Sequence, residues 1–462
     1  MLSSTRPFWL AAVVAALLRV PFLVTGLSTD EGGYAYVARQ WARGDKLYDT
    51  AWLDRPQGLL LVYRGLLGLG GDGWTIRLGM VLGGVVVTLA LAALGVLLVN
   101  RATGIAAAWI YAVVGVAPHL EGMTLNGELL ASIPSTVAIA LLVFWWRRSR
   151  SVWWLLGAGF CAGLALTMKQ SGIDGLVVGL VVVLLLRRGF LFFAAAAVPV
   201  LASVLHGLLT GWSAYWTALI GYQLSAMGGD GSNAGTRWTD LGRNAGDIAL
   251  DLALILVVSL LGWRKLDRGG RWVLGGWLFA GFVGINLGGS YWPHYFVQPL
   301  PALVLLAAAG VAGLRLRWVA GGLIVLPTVV WLVALVPMSA TRRADAIPYD
   351  ALARRDDRIA AVIRASTGPD DRIYVLESEA YLYFAADRVS PYPYLWGKPI
   401  DKIPDALPRL RAMLSAPDRP ALVVLDTPPA AVDPSGGIAA DLAAHYHPDT
   451  VVEGVQILRA DP

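Results

Sequence analysis

Long apolar stretches separated by short polar joints dominate the chain up to about residue 340. They fall at 7–27, 75–99, 102–119, 128–146, 151–168, 170–186, 189–209, 246–263, 272–288, 293–314 and 316–337. Most come close to the roughly 17–25 residues that an α-helix needs to cross the hydrocarbon core of a bilayer. The pattern predicts about eleven transmembrane helices, the sixth weakened by Asp174 inside it.

The pattern changes in three longer polar regions. In the first, 28–74, Tyr34, Val37, Ala38 and Trp41 recur at helical spacing, so Gly33 to Arg43 reads as an amphipathic helix lying flat on the membrane. Asp54-Arg55-Pro56-Gln57 follows, and then an apolar run, 59–69, too short to span and read as re-entrant or interfacial. The second region, 210–245, is rich in Gly, Ser, Trp and Tyr and reads as a flexible outer loop with interfacial aromatics. The third, 345–462, switches to soluble patterning: a helix over 354–365 and strands over 372–376, 421–425 and 451–458 predict a small C-terminal α/β domain. It contains no GxGxxG, no P-loop and no nucleophile elbow, so it reads as an interaction or acceptor-positioning unit beside a membrane domain of residues 1–340.

Composition agrees with this reading. Hydrophobic residues make up 56% of the chain and charged residues 15%, far from a soluble domain of this length. Short cytoplasmic loops retain Lys and Arg. Alternate joints here hold Arg6, Arg101, Arg147, Arg148, Arg150, Arg187, Arg188, Arg264, Lys265, Arg268, Arg271, Arg315 and Arg317, with Asp267 the one acid among them. The opposite joints hold Asp30, Glu31, Asp54, Glu121, Glu128, Asp230 and Asp240. The N-terminus is therefore placed in the cytoplasm and the C-terminal domain outside. The net charge of +5 reflects this topology and not nucleic-acid binding, since no basic stripe with interleaved aromatics is present. Five of the 37 basic residues are Lys, an Arg bias that points to a GC-rich bacterial genome and hence a bacterial plasma membrane. The single cysteine, Cys161, excludes a disulfide framework and a cysteine metal site.

Candidate chemistry collects on the outer face. Asp30 and Glu31 follow the first apolar segment, Glu128 opens the fourth, and Arg55, Lys169 and His294 supply cations from distant segments. Singly, each has a structural explanation: an acid at a helix N-terminus, a lysine that snorkels, an ion-paired arginine. Arg19, inside the first helix, reads as neutralising a buried acid, with Asp174 and Asp251 both open, or as lining a polar cavity. Together, outer acids and cations match sugar transfer from a lipid-linked phosphate, which needs a base for a hydroxyl and positive charge for the leaving phosphate. The rival class is a transporter or lipid flippase with charges along a substrate path. It predicts ionisable groups near the bilayer midplane and related halves, whereas these residues cluster at one rim and no repeat is evident.

Asp30-Glu31 with Tyr34, Asp54-Arg55-Pro56, Asn126-Gly127-Glu128, the stretch Gly163 to Gln170 and His294-Tyr295-Phe296 resemble the GT-C glycosyltransferases. More narrowly, they resemble the dolichyl-phosphate-mannose protein mannosyltransferase family and its bacterial relatives, including the aminoarabinose transferases acting on lipid A. The resemblance covers about residues 1–315. It implies Asp30 as catalytic base, supported by Glu31, and an inverting transfer from a polyprenyl-phosphate sugar. It further implies substrate contacts at Tyr34, Asp54, Arg55, Glu128, Lys169, His294 and Tyr295. Arg55 stands in Arg-Pro-Gln where the family has a Lys-Pro-Pro-like element. The implied partners are the lipid-linked donor, the bilayer and a glycan, glycolipid or protein hydroxyl as acceptor. No cofactor and no metal are implied, although Asp30, Glu31 and Glu128 have the ligand chemistry of a divalent-ion site.

Overall fold

A computed structural model describes residues 5–228, 234–288, 290–347, 352–377 and 379–462. Asp230 and the rest of 229–233 in the expected outer loop, together with 348–351 near the expected domain junction, lie outside the described residues.

Every apolar segment forms a helix, as a chain in lipid must if its backbone groups are to be satisfied locally. The helices of the first half are α1 (Arg6–Arg19), α2 (Thr29–Arg43), α3 (Gln57–Leu67), α4 (Gly73–Leu98), α5 (Arg101–Val114), α6 (Gly127–Arg147), α7 (Val152–Met168), α8 (Asp174–Leu186) and α9 (Leu191–Thr210). There follow α10 (Trp212–Trp216), α11 (Tyr222–Gly228), α12 (Ala234–Trp263), α13 (Arg268–Gly288), α14 (Leu300–Ala312) and α15 (Arg317–Leu335). Five spans are long and apolar enough to cross a bilayer: α1 with the turn after it, α4, α6, α9 and α15. The bent α12, with an 82° change of direction around Gly246 and Ile248, makes a sixth, and α5, α7, α8 and α14 are shorter apolar helices. The chain is thus a helical, multi-pass membrane protein. The expected loop at 210–245 is helical over its described residues, in α10, α11 and the start of α12.

Close packing sets the positions of the helix ends. On α7, a Cβ at Gly159 or Gly163 would fall 2.1 and 2.0 Å from the backbone oxygens of Phe192 and Ala196 on α9. This small-xxx-small face lets the two backbones touch. Gly58 does the same for α3, where a Cβ would meet Thr167 Oγ1 at 2.3 Å. The loop before α3 is thereby drawn to the end of α7.

Arg19 is fully buried but reaches neither expected acid. It donates to the carbonyls of Ala15 (2.9 Å) and Ala112 (3.4 Å). Asp174 instead accepts from Gln298 at 2.7 Å, and Asp251 lies 3.2 Å from His119. In lipid, nearby backbone carbonyls compete well with a distant carboxylate for a guanidinium, because each buried polar group takes the partner within reach.

After α16 (Ala340–Ala346) come α17 (Ala353–Ser366), β1 (Ile373–Val375), α18 (Tyr381–Ala386), α19 (Gly397–Lys402), β2 (Leu422–Leu425), β3 (Tyr446–Val452) and β4 (Val455–Ala460). The sheet order is β1-β2-β4-β3, with β1 parallel to β2 and the other pairs antiparallel. The single strand expected over 451–458 is two strands of a hairpin, its first two residues ending β3, its last four lying in β4, and the turn falling between them. Glu453 and Gly454 both have positive φ (50° and 82°), the backbone of a two-residue hairpin turn.

The helix expected to lie flat on the membrane is instead enclosed. α2 begins at Thr29, four residues earlier than its apolar periodicity suggests, and most of its residues are buried. One side faces the helical bundle and the other carries α18. Thr29 Oγ1 donates to Glu379 at 2.7 Å, Ser390 N donates to the Tyr36 hydroxyl at 2.8 Å, and Arg39 pairs with Asp387 at 3.1 Å. Gly32 and Gly33 are flush with the covering segment: a Cβ on Gly32 would lie 2.7 Å from Tyr381 Cα, and one on Gly33 2.4 Å from the Trp396 ring. Gly32→Ala is therefore expected to cost about 1–3 kcal/mol through overpacking against backbone. Proteolysis of the 353–462 segment should become faster while the bundle stays intact; an unchanged cleavage rate would show that this contact is not tight.

Candidate active site

Local sequence builds the first wall of the site. Ser28 caps α2 by accepting from Glu31 N, while Glu31 returns a bond to Ser28 N at 3.1 Å, a capping box. Because Glu31 is committed to the cap, Asp30 points elsewhere. Glu31 also pairs with the buried Arg77 (2.7 Å) and accepts from Leu125 N (2.7 Å). Arg77 in turn donates to the carbonyls of Met123 (2.9 Å) and Gly26 (2.7 Å). One ion pair thus ties the start of α2 to the loop that precedes α6. Glu31 is fully buried in this tie, whereas Asp30 is half-buried, so the adjacent acids have different surroundings.

That loop delivers the second wall. Asn126 caps α6 through Leu129 N at 2.8 Å, placing Glu128 in the first turn. Glu128 pairs with Lys169, which leaves the end of α7. The Lys169 ammonium also lies 4.7 Å from the centre of the Tyr295 ring. His294 bridges two acids, with Nδ1 3.1 Å from Glu121 and Nε2 3.8 Å from Glu128.

Arg55 comes from the element before α3 and pairs with Asp54. The Tyr48 hydroxyl shares its one proton between the Arg55 carbonyl and Gln57 Oε1, each 3.1 Å away, and Gln57 Oε1 also accepts from Ser203 (2.7 Å). Gln57 thus anchors the Arg-Pro-Gln element to α9 through its side chain. A Cβ at Gly127 would stand 3.4 Å from Lys169 Cδ and 3.9 Å from Arg55 Nε. Two cations thus converge on the start of α6 at ordinary contact distance.

Asp30 completes the group. It accepts from the Tyr34 hydroxyl at 3.3 Å and, among the described residues, has no ion-pair contact. Tyr34 is held edge-on by Tyr63 at 5.7 Å, and Tyr63 donates to Leu125 O at 2.7 Å. All nine residues singled out in the sequence therefore lie in one connected region, with Glu31 behind it and the other eight around it. Among the described residues, no three His, Cys, Asp or Glu side chains are arranged to hold a metal ion.

Neither protein-family models nor curated proteins give a match to the sequence. Solved structures do. ArnT from Cupriavidus metallidurans bound to undecaprenyl phosphate superposes with a TM-score of 0.70 at 17% identity, with 100% of both chains covered. The same protein in the apo state gives 0.69 at 16% identity, over 99% of this chain and 100% of that one. This chain has the GT-C fold. The archaeal oligosaccharyltransferase AglB from Archaeoglobus fulgidus, in complex with an inhibitory peptide and a dolichol-phosphate, is more distant. Its TM-score is 0.55 at 11% identity, covering 90% of this chain and 69% of that one.

On this GT-C scaffold the electrostatics of Asp30 follow from its neighbours. Burial raises its carboxyl above the usual range and Glu121 and Glu128 act the same way, while His294 and Arg55 pull it back. A carboxylate that is ionised but reluctant is a stronger base than a surface aspartate. Sequence reasoning missed Arg77, Gln223 and the role of Glu121. Arg77 stands inside the apolar segment 75–99, far in sequence from the acid it meets, and Gln223, which donates to Asp54 at 2.9 Å, carries no charge signal. The capping-box spacing Ser28-x-x-Glu31 is legible in the chain, and its reciprocal bonds suffice to separate the roles of Asp30 and Glu31.

Proposed function

We propose that this protein is a membrane glycosyltransferase that moves a monosaccharide from a polyprenyl-phosphate donor to a hydroxyl acceptor on the extracytoplasmic face. The observation that carries this reading is the gathering of Asp30 with Arg55, Lys169 and His294, from four separate elements, on a GT-C fold. Asp30 takes the proton of the acceptor hydroxyl as its oxygen attacks the anomeric carbon. The bond from that carbon to the phosphate oxygen breaks, the configuration inverts, and the polyprenyl phosphate leaves with the bond's electron pair. Arg55 and Lys169 exchange their acid partners Asp54 and Glu128 for phosphate oxygens, assisted by His294, and Tyr295 and Tyr34 border the sugar. Glu31 holds α2 in place and does not touch substrate.

The undecaprenyl phosphate bound by ArnT supports the donor class. The reading places eleven helices across a bacterial plasma membrane, the N-terminus in the cytoplasm and residues 345–462 outside as a distinct α/β domain. Purified protein in liposomes, offered a panel of radiolabelled polyprenyl-phosphate sugars and envelope acceptors, is expected to transfer label from one of them. Solute flux across the vesicles with no transfer from any donor would overturn the enzyme reading in favour of a transporter.

A further inference from the structure

The segment 394–398 of the C-terminal region packs against α2, Trp52 and Ser290, elements that border the site just described. Trp396 packs on Gly33 and sits 6.2 Å from the ring of Tyr34, the residue that donates to Asp30. Tyr394 stacks edge-on against Trp52 at 5.1 Å, and Trp52 meets Tyr222 of α11 at 5.3 Å. The three rings tie the C-terminal region, the Asp54-Arg55 element and α11 together, while Gln223 of α11 holds Asp54.

At the end of this cover stands Lys398. Its ammonium is exposed and rests 3.2 Å from Ser290 Oγ, four residues before His294. Among the described residues it has no carboxylate in contact, unlike Arg55 and Lys169. Partial burial of this otherwise exposed side chain lowers its pKa, and Asp54, Lys402, Asp240 and Arg55 are the charged groups that act on it. The Asp54-Arg55 pair that borders the site is thus among the charges that act on it.

We infer that Lys398 is a substrate-contacting residue, a cation supplied by the C-terminal region to a phosphate group bound beside Arg55. This deepens the glycosyltransferase reading and rests on it. A lone ammonium on a solvent-facing side, braced by a neutral hydroxyl and beside an already neutralised ion pair, is suited to a dianionic phosphate. That phosphate belongs either to the departing lipid carrier or to a phosphorylated acceptor headgroup. A rigid aromatic segment before the lysine gives it a fixed place, so the C-terminal region would complete the site and not merely shelter it.

The test uses the full-length protein in nanodiscs and measures binding of polyprenyl phosphate without turnover, beside transfer kinetics. Lys398→Ala is expected to weaken binding of the carrier about tenfold, as loss of one charge-assisted hydrogen bond does. Lys398→Arg should restore most of it, and Ser290→Ala should have a small effect. An unchanged carrier affinity with an acceptor KM raised about tenfold would assign the same contact to an acceptor phosphate. Unchanged values for both, in a variant that melts like wild type, would overturn the inference and leave the enzyme reading intact. Failure of the wild-type protein to bind the carrier or to transfer sugar would overturn both.

Discussion

Asp30→Asn is expected to lower sugar transfer by about 10²–10⁴-fold, the range associated with loss of a positioned general base. The amide keeps the shape and still accepts from Tyr34, so donor affinity should change little and the loss should fall on kcat. The wild-type enzyme should show a matching acid limb. A base works only when deprotonated, and burial together with Glu121 and Glu128 raises Asp30 above its usual range. Activity is therefore lost on acidification at a pH above that of an ordinary aspartate, about 3.9. Undiminished transfer by Asp30→Asn, or an acid limb that survives in the variant's residual rate, would remove Asp30 from the base role.

The second large effect is structural. Breaking the fully buried Glu31–Arg77 pair by Arg77→Met is expected to destabilise the protein by about 3–5 kcal/mol, because it leaves a carboxylate uncompensated in a low-dielectric interior. Two backbone carbonyls, of Gly26 and Met123, lose their donor as well. The double variant Glu31→Gln with Arg77→Met should recover part of the loss, since removing both charges is less costly than stranding one. Thermal unfolding in detergent measures this directly. A single-variant loss below about 1 kcal/mol would show that the pair is not what joins α2 to the loop before α6. Transfer should fall in parallel, because Asp30 is the residue immediately before Glu31.

These two neighbours show how far sequence reasoning reaches. Asp30, Arg55, Glu128, Lys169 and His294 were legible as a set, because topology put them on one face and acids are rare near apolar helices. Their partners were not. Lys169 with Glu128, Arg55 with Asp54 and His294 between Glu121 and Glu128 depend on how α3, α6, α7 and the turn before α14 are packed. The same limit explains Arg19, which had two acids to choose from by sequence and takes backbone carbonyls in the fold. The edge of α2 failed for a different reason. Its apolar periodicity begins at Tyr34, but its first turn is specified by Ser28 and Glu31, a polar signal that hydrophobic pattern alone passes over.

By itself the sequence determined that this is a membrane protein with helical segments at known places and a stretch with strands after them. It also grouped the ionisable residues that the fold brings into one region. These are properties of local hydrophobicity, because a helix in lipid satisfies its own backbone and needs no information from elsewhere in the chain. Only the tertiary structure decided which acid meets which cation, that Glu31 is consumed by a cap and Arg77, and that Trp396 packs on Gly33 and Tyr34 from far along the chain. Such pairings turn on ångström-scale approaches between distant elements, set here by glycines such as Gly33 and Gly58 where two surfaces meet. No local pattern in either partner records them.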